Sequence, residues 1–274
     1  MSRDSKRILR NSILLLLATV AVVCMHLRFS ATIRKFDYLS GWALLVAILF
    51  LAGYNLRKRF TFLPLGSSET WLQWHIYVGY FTFALFAVHL EYRVPTGWFE
   101  IIFSIIFAIV MLSGMAGLFL SRQIPKRLTV LGGEVIFERV PTYRQQILDR
   151  AEKIAVGASA ETQSATLLDF YTKNLRDFLA ARPVFWRNVL GNGRGLFRVL
   201  QQVEDLKRYT NEREREILSE LAALLRDKRR LEFHYSLQGL LKAWLFIHIP
   251  FTYSLLLFTL VHLILVFGFS TGAP

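Results

Sequence analysis

Five long apolar stretches constrain this chain more than any other feature of its sequence. Each approaches or exceeds the roughly 20 residues with which an α-helix crosses the hydrocarbon core of a bilayer while satisfying its own backbone hydrogen bonds. With 54% hydrophobic residues among 274, the composition fits an integral membrane protein better than a soluble domain. The predicted transmembrane helices cover residues 11–28, 39–55, 71–92, 99–120 and 240–268.

Basic residues lie unevenly around these helices, and this predicts the orientation of the chain. Cytoplasmic loops carry the excess of Lys and Arg, so we expect a multi-pass protein of the bacterial inner (cytoplasmic) membrane, with a cytoplasmic N-terminus and a periplasmic C-terminus. The first apolar run ends in a poor cleavage site and is expected to stay as an anchor. The cytoplasmic set is Arg3, Lys6, Arg7, Arg10, Arg57, Lys58, Arg59, Arg122, Lys126, Arg127, Arg226, Lys228, Arg229 and Arg230, against Arg28, Arg34, Lys35 and Arg93 outside.

The region between the fourth and fifth helices differs from the rest, because it holds most of the charged side chains. Its helical periodicity predicts a mostly helical cytoplasmic insertion. The alternating sequence at 128–140, around Gly132-Gly133, predicts a small β-hairpin within it. The fold class is therefore an all-α integral membrane protein, a five-helix transmembrane bundle with this insertion. The predicted domains are transmembrane helices 1–4 at 1–121, the insertion at 122–238, and helix 5 with a short external tail at 239–274.

Several classes of function lack their sequence signatures here. The sole cysteine, Cys24, excludes an intrachain disulfide, a cysteine-based zinc or iron–sulfur site, and covalent haem attachment through paired cysteines. The insertion has no phosphate-binding loop, and its GNGRG segment at 191–195 lacks the glycine order of a dinucleotide site. The net charge of +13 fits loops that face anionic headgroups, so the lipid bilayer is an expected partner and nucleic acid is not.

Two pairs of histidines with the same spacing mark the candidate site. His75 and His89 lie fourteen residues apart on the third helix, and His248 and His262 lie fourteen apart on the fifth. Fourteen residues of α-helix rise about 21 Å and return to within about 40° of the same face, so each helix presents one imidazole near each membrane surface. One crossing separates the two helices, which therefore run parallel. This pairs His75 with His248 and His89 with His262.

The paired imidazoles indicate haem. Two facing imidazoles are axial ligands for haem iron, and two filled axial positions favour electron transfer. We therefore predict ligand pairs His75/His248 and His89/His262, with Gly79 on the same face letting a flat macrocycle approach the backbone. A polar residue packed across helices is the ordinary alternative for a single intramembrane histidine. Zinc or copper would find two ligands at each depth, which is too few.

The double H-x(13)-H pattern resembles the di-haem core of the membrane cytochrome b proteins. These include the cytochrome b of quinol–cytochrome c oxidoreductases and the membrane domains of ferric reductases and NADPH oxidases. The resemblance covers helices 3, 4 and 5, about a third of the chain, and implies non-covalent haem b at both histidine pairs. The chain departs from the family because no NADPH- or flavin-binding domain follows the last helix, no clear quinol-site motif is present, and the insertion is foreign to both groups.

Three hypotheses for the function follow. The first is a di-haem b-type cytochrome, the electron-transfer subunit of an oxidoreductase complex, which carries electrons across the membrane between the quinone pool and a partner. Its cofactors are two haem b groups, with a quinone as a third candidate, and its partners are other subunits of a membrane redox complex. Since the sequence ends soon after helix 5, we expect a periplasmic c-type cytochrome to cover the outer haem. The second hypothesis is the membrane subunit of an outer-face ferric or other metal reductase, and the third is a non-redox membrane scaffold.

Overall fold

The fold is built from helices throughout the part of the chain that the structure describes. This structure is a computed structural model, and it describes residues 3–29, 36–59, 67–131, 135–162, 165–189 and 194–270. No strand occurs within these ranges. The five longest apolar helices are α1 (Arg3–Phe29), α2 (Phe36–Arg59), α3 (Ser68–His89), α4 (Trp98–Leu131) and α10 (Glu212–Ser270). Between α4 and α10 lie a 3₁₀ turn (Phe137–Arg139), α5 (Val140–Thr162), α6 (Thr166–Phe170), a π-helical turn (Tyr171–Leu175), α7 (Arg176–Ala180), α8 (Phe185–Val189) and α9 (Arg194–Lys207).

Among the described residues, three helices are long and apolar enough to cross a membrane. The qualifying stretches are Arg7–Arg28 in α1, Trp98–Thr129 in α4 and Glu212–Phe269 in α10. Helix α2 contributes a shorter apolar stretch, Tyr38–Tyr54. Long apolar helices are the elements that satisfy every backbone hydrogen bond without water, and three of them are compatible with a multi-pass membrane protein.

The chain divides into two compact units. The first unit comprises Met1–Phe119 together with Trp244–Pro274, and the second unit comprises Leu120–Ala243. The boundaries fall within α4 and α10, so each of these helices contributes residues to both units.

One apolar cluster draws together the helices of the first unit. Its buried members come from α2, α3, α4 and α10, and Val22 of α1 packs against them. Near the end of α3, Phe86 stacks on Phe107 of α4 with ring centroids 3.9 Å apart. The buried members are Leu44, Ala47, Ile48, Leu85, Ile106, Phe107 and Leu255.

Contacts within the first unit fix the directions of the helices that carry the four histidines. Phe99, at the start of α4, stacks on Phe258 in the second half of α10, with centroids 5.4 Å apart. Trp244 of α10 donates its indole N–H to the carbonyl of Ser113, much further along α4, at 2.7 Å. Helix α10 is therefore antiparallel to α4. Helices α3 and α4 are consecutive and joined by a short connection, so α3 and α10 run in the same direction, as the sequence predicted.

The second unit has an apolar core of its own. Buried side chains from α5, α9 and the first part of α10 meet those of the α6–α7 segment. Leu218, Leu221 and Leu225 of α10, three and four residues apart, are almost fully buried there because that spacing places them on one helical face. This core is separate from the apolar cluster of the first unit.

The β-hairpin predicted at 128–140 is wrong over the described residues. Residues 128–131 continue α4 to Leu131, and a 3₁₀ turn at Phe137–Arg139 leads into α5. An isolated hairpin is marginal in stability, whereas each residue added to an established helix gains a backbone hydrogen bond at little cost. The hydroxyl of Thr129 also donates to the Pro125 carbonyl at 2.9 Å, one helical turn back. The predicted turn at Gly132-Gly133 lies outside the described residues.

Candidate haem sites

His89 and His262 are brought together in the first unit. They are called the outer pair here, and His75 and His248 the inner pair, after their predicted depths. The two ring centroids lie 6.3 Å apart, and the ring planes are inclined by 89°. When two imidazoles bind one metal ion from opposite sides, each nitrogen lies about 2 Å from the metal and each ring centre about 1 Å further, so the centroids stand roughly 6 Å apart. The observed separation fits such an arrangement.

A cavity of about 500 Å³ borders this pair. Sites for small molecules and cofactors typically measure about 300–1,000 Å³ and are lined mainly by apolar and aromatic side chains. Phe86, Phe103 and Phe107 supply aromatic walls, and both imidazoles form part of the lining. The donor set, the volume and the apolar walls therefore fit a flat, largely apolar prosthetic group with a metal at its centre.

The connection that follows α3 places charged groups beside the same cavity. Glu91 and Tyr92 have positive φ angles of 50° and 58°, a left-handed conformation that costs a bulky residue about 1–3 kcal/mol. The backbone N–H of Tyr92 bonds to the Ala87 carbonyl at 3.0 Å, which holds the chain in this turn. Glu91 and Arg93 line the cavity as a result, and their side chains form an ion pair at 3.4 Å.

His89 is held by the start of α2. The Ser40 hydroxyl oxygen lies 3.2 Å from Nδ1 of His89, and Ser40 is buried. The next residue, Gly41, lies so close that an added β carbon would stand 3.1 Å from Cε1 of the imidazole. A histidine that binds a metal usually has its second ring nitrogen bonded to such a partner, which fixes its orientation.

His248 of the inner pair is held by α4 in the same manner. The Ser113 hydroxyl oxygen lies 2.8 Å from Nδ1 of His248, and it also bonds to the Val110 carbonyl at 2.9 Å. A hydroxyl has one hydrogen, and only donation satisfies a carbonyl, so the oxygen must accept from the imidazole. Nδ1 of neutral His248 therefore carries the proton, and its Nε2 keeps a free lone pair for a metal.

The SGMAG segment at 113–117 receives both His248 and Trp244. The Trp244 ring stacks on His248 with centroids 5.6 Å apart, and a β carbon added at Gly117 would lie 2.0 Å from the Trp244 indole. His75 packs instead against Tyr54 of α2, with centroids 5.2 Å apart. The structure thus gives His75 and His248 different neighbours, and their pairing stays a prediction.

Gly79 and the two remaining histidines occupy distinct positions. A β carbon added at Gly79 would meet no other group of the described residues within 4 Å, and its place beside a macrocycle stays a prediction. His26 is buried in the first unit, with its ring 5.7 Å from that of Tyr92, and His234 is buried in the second unit. Over the described part of the chain, no group of three or more His, Cys, Asp or Glu side chains is arranged to hold a metal ion.

The sequence marks SGMAG at 113–117 as a small-residue surface for helix packing or for a porphyrin, but sequence reasoning missed the contacts of Ser40-Gly41 and Ser113-Gly114 with histidines. Both dipeptides occur in the tripeptide Leu-Ser-Gly, at 39–41 and at 112–114. This repeat was the available signal, but a three-residue match predicts no contact until the helices are placed. The geometry gives it meaning, because each copy meets a predicted ligand histidine.

No protein-family model, no curated protein and no solved structure matches this chain. Its function is therefore inferred from its own residues and their arrangement.

Proposed function

We propose that this protein is a di-haem b-type cytochrome, the membrane subunit of an oxidoreductase complex that carries electrons across the bilayer between the quinone pool and a partner. The observation that carries the proposal is the outer site, where the ring centroids of His89 and His262 lie 6.3 Å apart beside a cavity of about 500 Å³. Two non-covalent haem b groups are its cofactors. Their iron supplies a one-electron redox couple, and two imidazoles per iron leave no open position for oxygen or substrate.

The chain's own residues hold and orient these groups. His89 and His262 are the outer ligands, and His75 and His248 are the inner ligands. The second pairing is supported by the parallel course of α3 and α10 and by the common fourteen-residue spacing, which brings each pair to a matching depth. The aromatic walls of the outer cavity exclude water and lower the local dielectric, and both effects tune a redox centre.

The proposal includes a bundle of five transmembrane helices. Helices α1, α4 and α10 are long and apolar enough to cross the bilayer. Helix α3 packs against α2 and α1 and shares their apolar cluster, and between Glu69 and Glu91 it carries no charged residue. We propose that α2 and α3 also cross, with the second unit in the cytoplasm and the outer histidine pair towards the periplasm.

The haem content of the full-length protein tests the core of the proposal. After purification in a mild detergent, pyridine haemochrome analysis should give two haem b per chain. His89→Ala and His262→Ala should each leave one, while His26→Ala, the same change at a buried histidine of the first unit, should keep two. Fewer than two haems in the wild-type protein, or full haem content in His89→Ala, would contradict it.

Co-purification and substrate assays separate the proposed relay from the alternatives. A c-type cytochrome that co-purifies with the chain supports electron transfer to a periplasmic partner, and a soluble flavoprotein would move electron entry to the cytoplasm. Glu91, Arg93 and Glu100 line the outer cavity, and because Arg93 pairs with Glu91, one carboxylate is left over to attract cations. This keeps an outer-face metal reductase as a second candidate. Reduction of a soluble ferric chelate by the isolated chain would favour that candidate, and a colourless protein would favour a scaffold.

A further inference from the structure

Two Ser-Gly dipeptides lie against one histidine of each proposed ligand pair. We infer that Ser40-Gly41 and Ser113-Gly114 are equivalent dipeptides that hold an imidazole, and each is called a seat below. They orient His89 and His248 so that Nε2 is the metal-binding nitrogen. They also set the reduction potentials of the two sites. This inference rests on the proposed function and assigns positioning roles to residues on α2 and α4 that bind no metal themselves.

The serine hydroxyls give the first half of each seat. Both hydroxyl oxygens approach the same ring atom, Nδ1, at 3.2 Å for Ser40 and 2.8 Å for Ser113. Ser113 also donates to the carbonyl three residues before it, as helical serines commonly do, and this turns its lone pair towards the imidazole. The hydrogen on Nδ1 of His248 then points at Ser113, and Nε2 faces away from it. The inference assigns the same direction to the bond between Ser40 and His89.

The glycines form the second part of each seat. A β carbon added at Gly41 would lie 3.1 Å from Cε1 of His89, and one added at Gly114 would lie 3.6 Å from Cε1 of His248. The same ring carbon, next to Nδ1, thus rests against a glycine in both sites. Hydroxyl and glycine together fix both the position and the rotation of the imidazole.

Each proposed haem site contains one of the two seats. Helix α2 seats a histidine of α3, and helix α4 seats a histidine of α10, so each proposed ligand pair contains one seated imidazole. Their predicted partners pack against aromatic rings, His262 with Phe103 at 5.6 Å and His75 with Tyr54 at 5.2 Å between centroids. Each proposed pair therefore combines one imidazole that contacts a serine hydroxyl with one that packs at a tilt against an aromatic ring.

A chemical consequence follows from the direction of the hydrogen bond. An imidazole that donates Nδ1–H to an oxygen is a more basic ligand at Nε2, and a more basic ligand favours the oxidised metal. Each seat should therefore lower the reduction potential of its own site. Loss of one hydroxyl should raise one potential and leave the other unchanged.

A redox titration of the full-length protein in detergent, resolved into its two haem components and combined with electron paramagnetic resonance, tests the inference. Ser40→Ala should shift one component to higher potential, and Ser113→Ala should shift the other. Ser40→Thr and Ser113→Thr, which keep the hydroxyl, should restore the wild-type potentials. A purely structural role would not give this separation, because misfolding lowers haem content without moving one potential selectively.

The glycines offer a second pair of variants that removes no hydrogen bond. Gly41→Ala puts a methyl group 3.1 Å from the ring, closer than ordinary contact, and should alter the resonance spectrum of one component. Gly114→Ala gives an ordinary contact of 3.6 Å and should alter the other component less. Gly53→Ala, where an added β carbon meets nothing within 4 Å, is the control and should leave both spectra unchanged.

Two results overturn the inference in distinguishable ways. If two haems bind and both Ser→Ala variants keep the wild-type potentials and spectra, the seats are refuted while the proposed function stands. If the wild-type chain binds no haem, the proposed function fails and the inference fails with it.

Discussion

Buried polar groups serve different ends in the two units of this protein. In the second unit, Lys228 and Glu232 form an ion pair at 2% and 3% exposure, and Arg229 lies 3.8 Å from the same carboxylate. Asn188 of α8 accepts from Arg229 and donates to Ser236 at 3.1 Å. These groups bond to one another, and such a closed network stabilises and rigidifies the core around it.

The polar groups beside the histidines of the first unit, of which Ser40 is buried and Ser113 half-buried, are arranged otherwise. Ser40 and Ser113 each bond to one nitrogen of an imidazole, and the bond to His248 leaves Nε2 of that ring with a free lone pair. His89 and His262 border a cavity. The comparison teaches that burial of a polar group indicates function only where the hydrogen-bond pattern leaves a reactive atom facing open space. The predictions below test this distinction, starting with the largest expected effect.

Lys228→Met should destabilise the second unit most, because it leaves Glu232 buried with much of its charge uncompensated. Breaking a buried pair on one side typically costs about 3–5 kcal/mol. Amide hydrogen exchange in α8 and the adjoining part of α10 should show the loss. The double variant Lys228→Met/Glu232→Leu should recover most of it, since an apolar replacement of the whole pair is often neutral. Haem content should stay at the wild-type value in both, and a parallel loss of haem would break the comparison.

Gly117→Ala should act on the first unit, at the inner site. The added methyl would lie 2.0 Å from the Trp244 indole, so the ring must move away from His248 and from the Ser113 carbonyl. Overpacking of this kind costs about 1–3 kcal/mol. We expect a lower thermal midpoint and a changed spectrum for one haem component only. Gly53→Ala on α2, where an added β carbon meets nothing within 4 Å, is the matched control; it should not lower the thermal midpoint and should leave both haem spectra unchanged.

Gly79→Ala should separate stability from ligand binding. A β carbon at Gly79 has no described neighbour within 4 Å, and alanine favours a helix over glycine by about 0.8–1 kcal/mol. The haem-free protein should therefore be slightly more stable, while haem content falls because the methyl group occupies the predicted place of the macrocycle. Gly157→Ala on α5, equally open, should give the same gain in stability with full haem content. Equal haem content in the two variants would remove Gly79 from the site.

Much of this arrangement is encoded in local patterns of the sequence. Four of the five predicted membrane segments lie wholly within helices, and the third, 71–92, extends three residues past the end of α3 at His89. Long apolar runs favour helices because a helix satisfies its own backbone hydrogen bonds away from water. The fourteen-residue spacing of His89 and His75 is likewise a local property of one helix. The parallel course of α3 and α10 followed from counting crossings, and the contacts of α4 with α10 agree with it.

The rest depends on contacts between distant residues, which single-sequence patterns do not encode. Ser40 meets His89 across 49 residues and Ser113 meets His248 across 135, so their roles emerge only when the helices are packed. The hairpin prediction at 128–140 failed because it used only the alternating pattern of the segment and took no account of α4, which leads directly into it. The closed network around Asn188 and Lys228 was missed for a similar reason, since a charge-rich helix predicts solvent exposure and α8 covers that face instead.

The smallest expected effect concerns an exposed ion pair of the second unit, which contrasts with the buried network beside it. Lys242 donates to the Glu138 carboxylate at 2.6 Å and lies 4.0 Å from the Phe137 ring centroid. This hydrogen bond is the main cause that lowers the pKa of Glu138 below its usual value of 4.5.

A carboxyl with a lowered pKa in the folded state adds stability above the unfolded pKa, and it loses this stability as the pH falls through the folded pKa. The turn at Phe137–Arg139 should therefore lose amide protection only below about pH 4.5, and high salt should weaken the effect because exposed pairs are screened. Lys242→Met should bring the carboxyl titration of Glu138, followed by carbon NMR, back to higher pH, whereas the same titration midpoint in both proteins would show that the pair forms no lasting contact in solution.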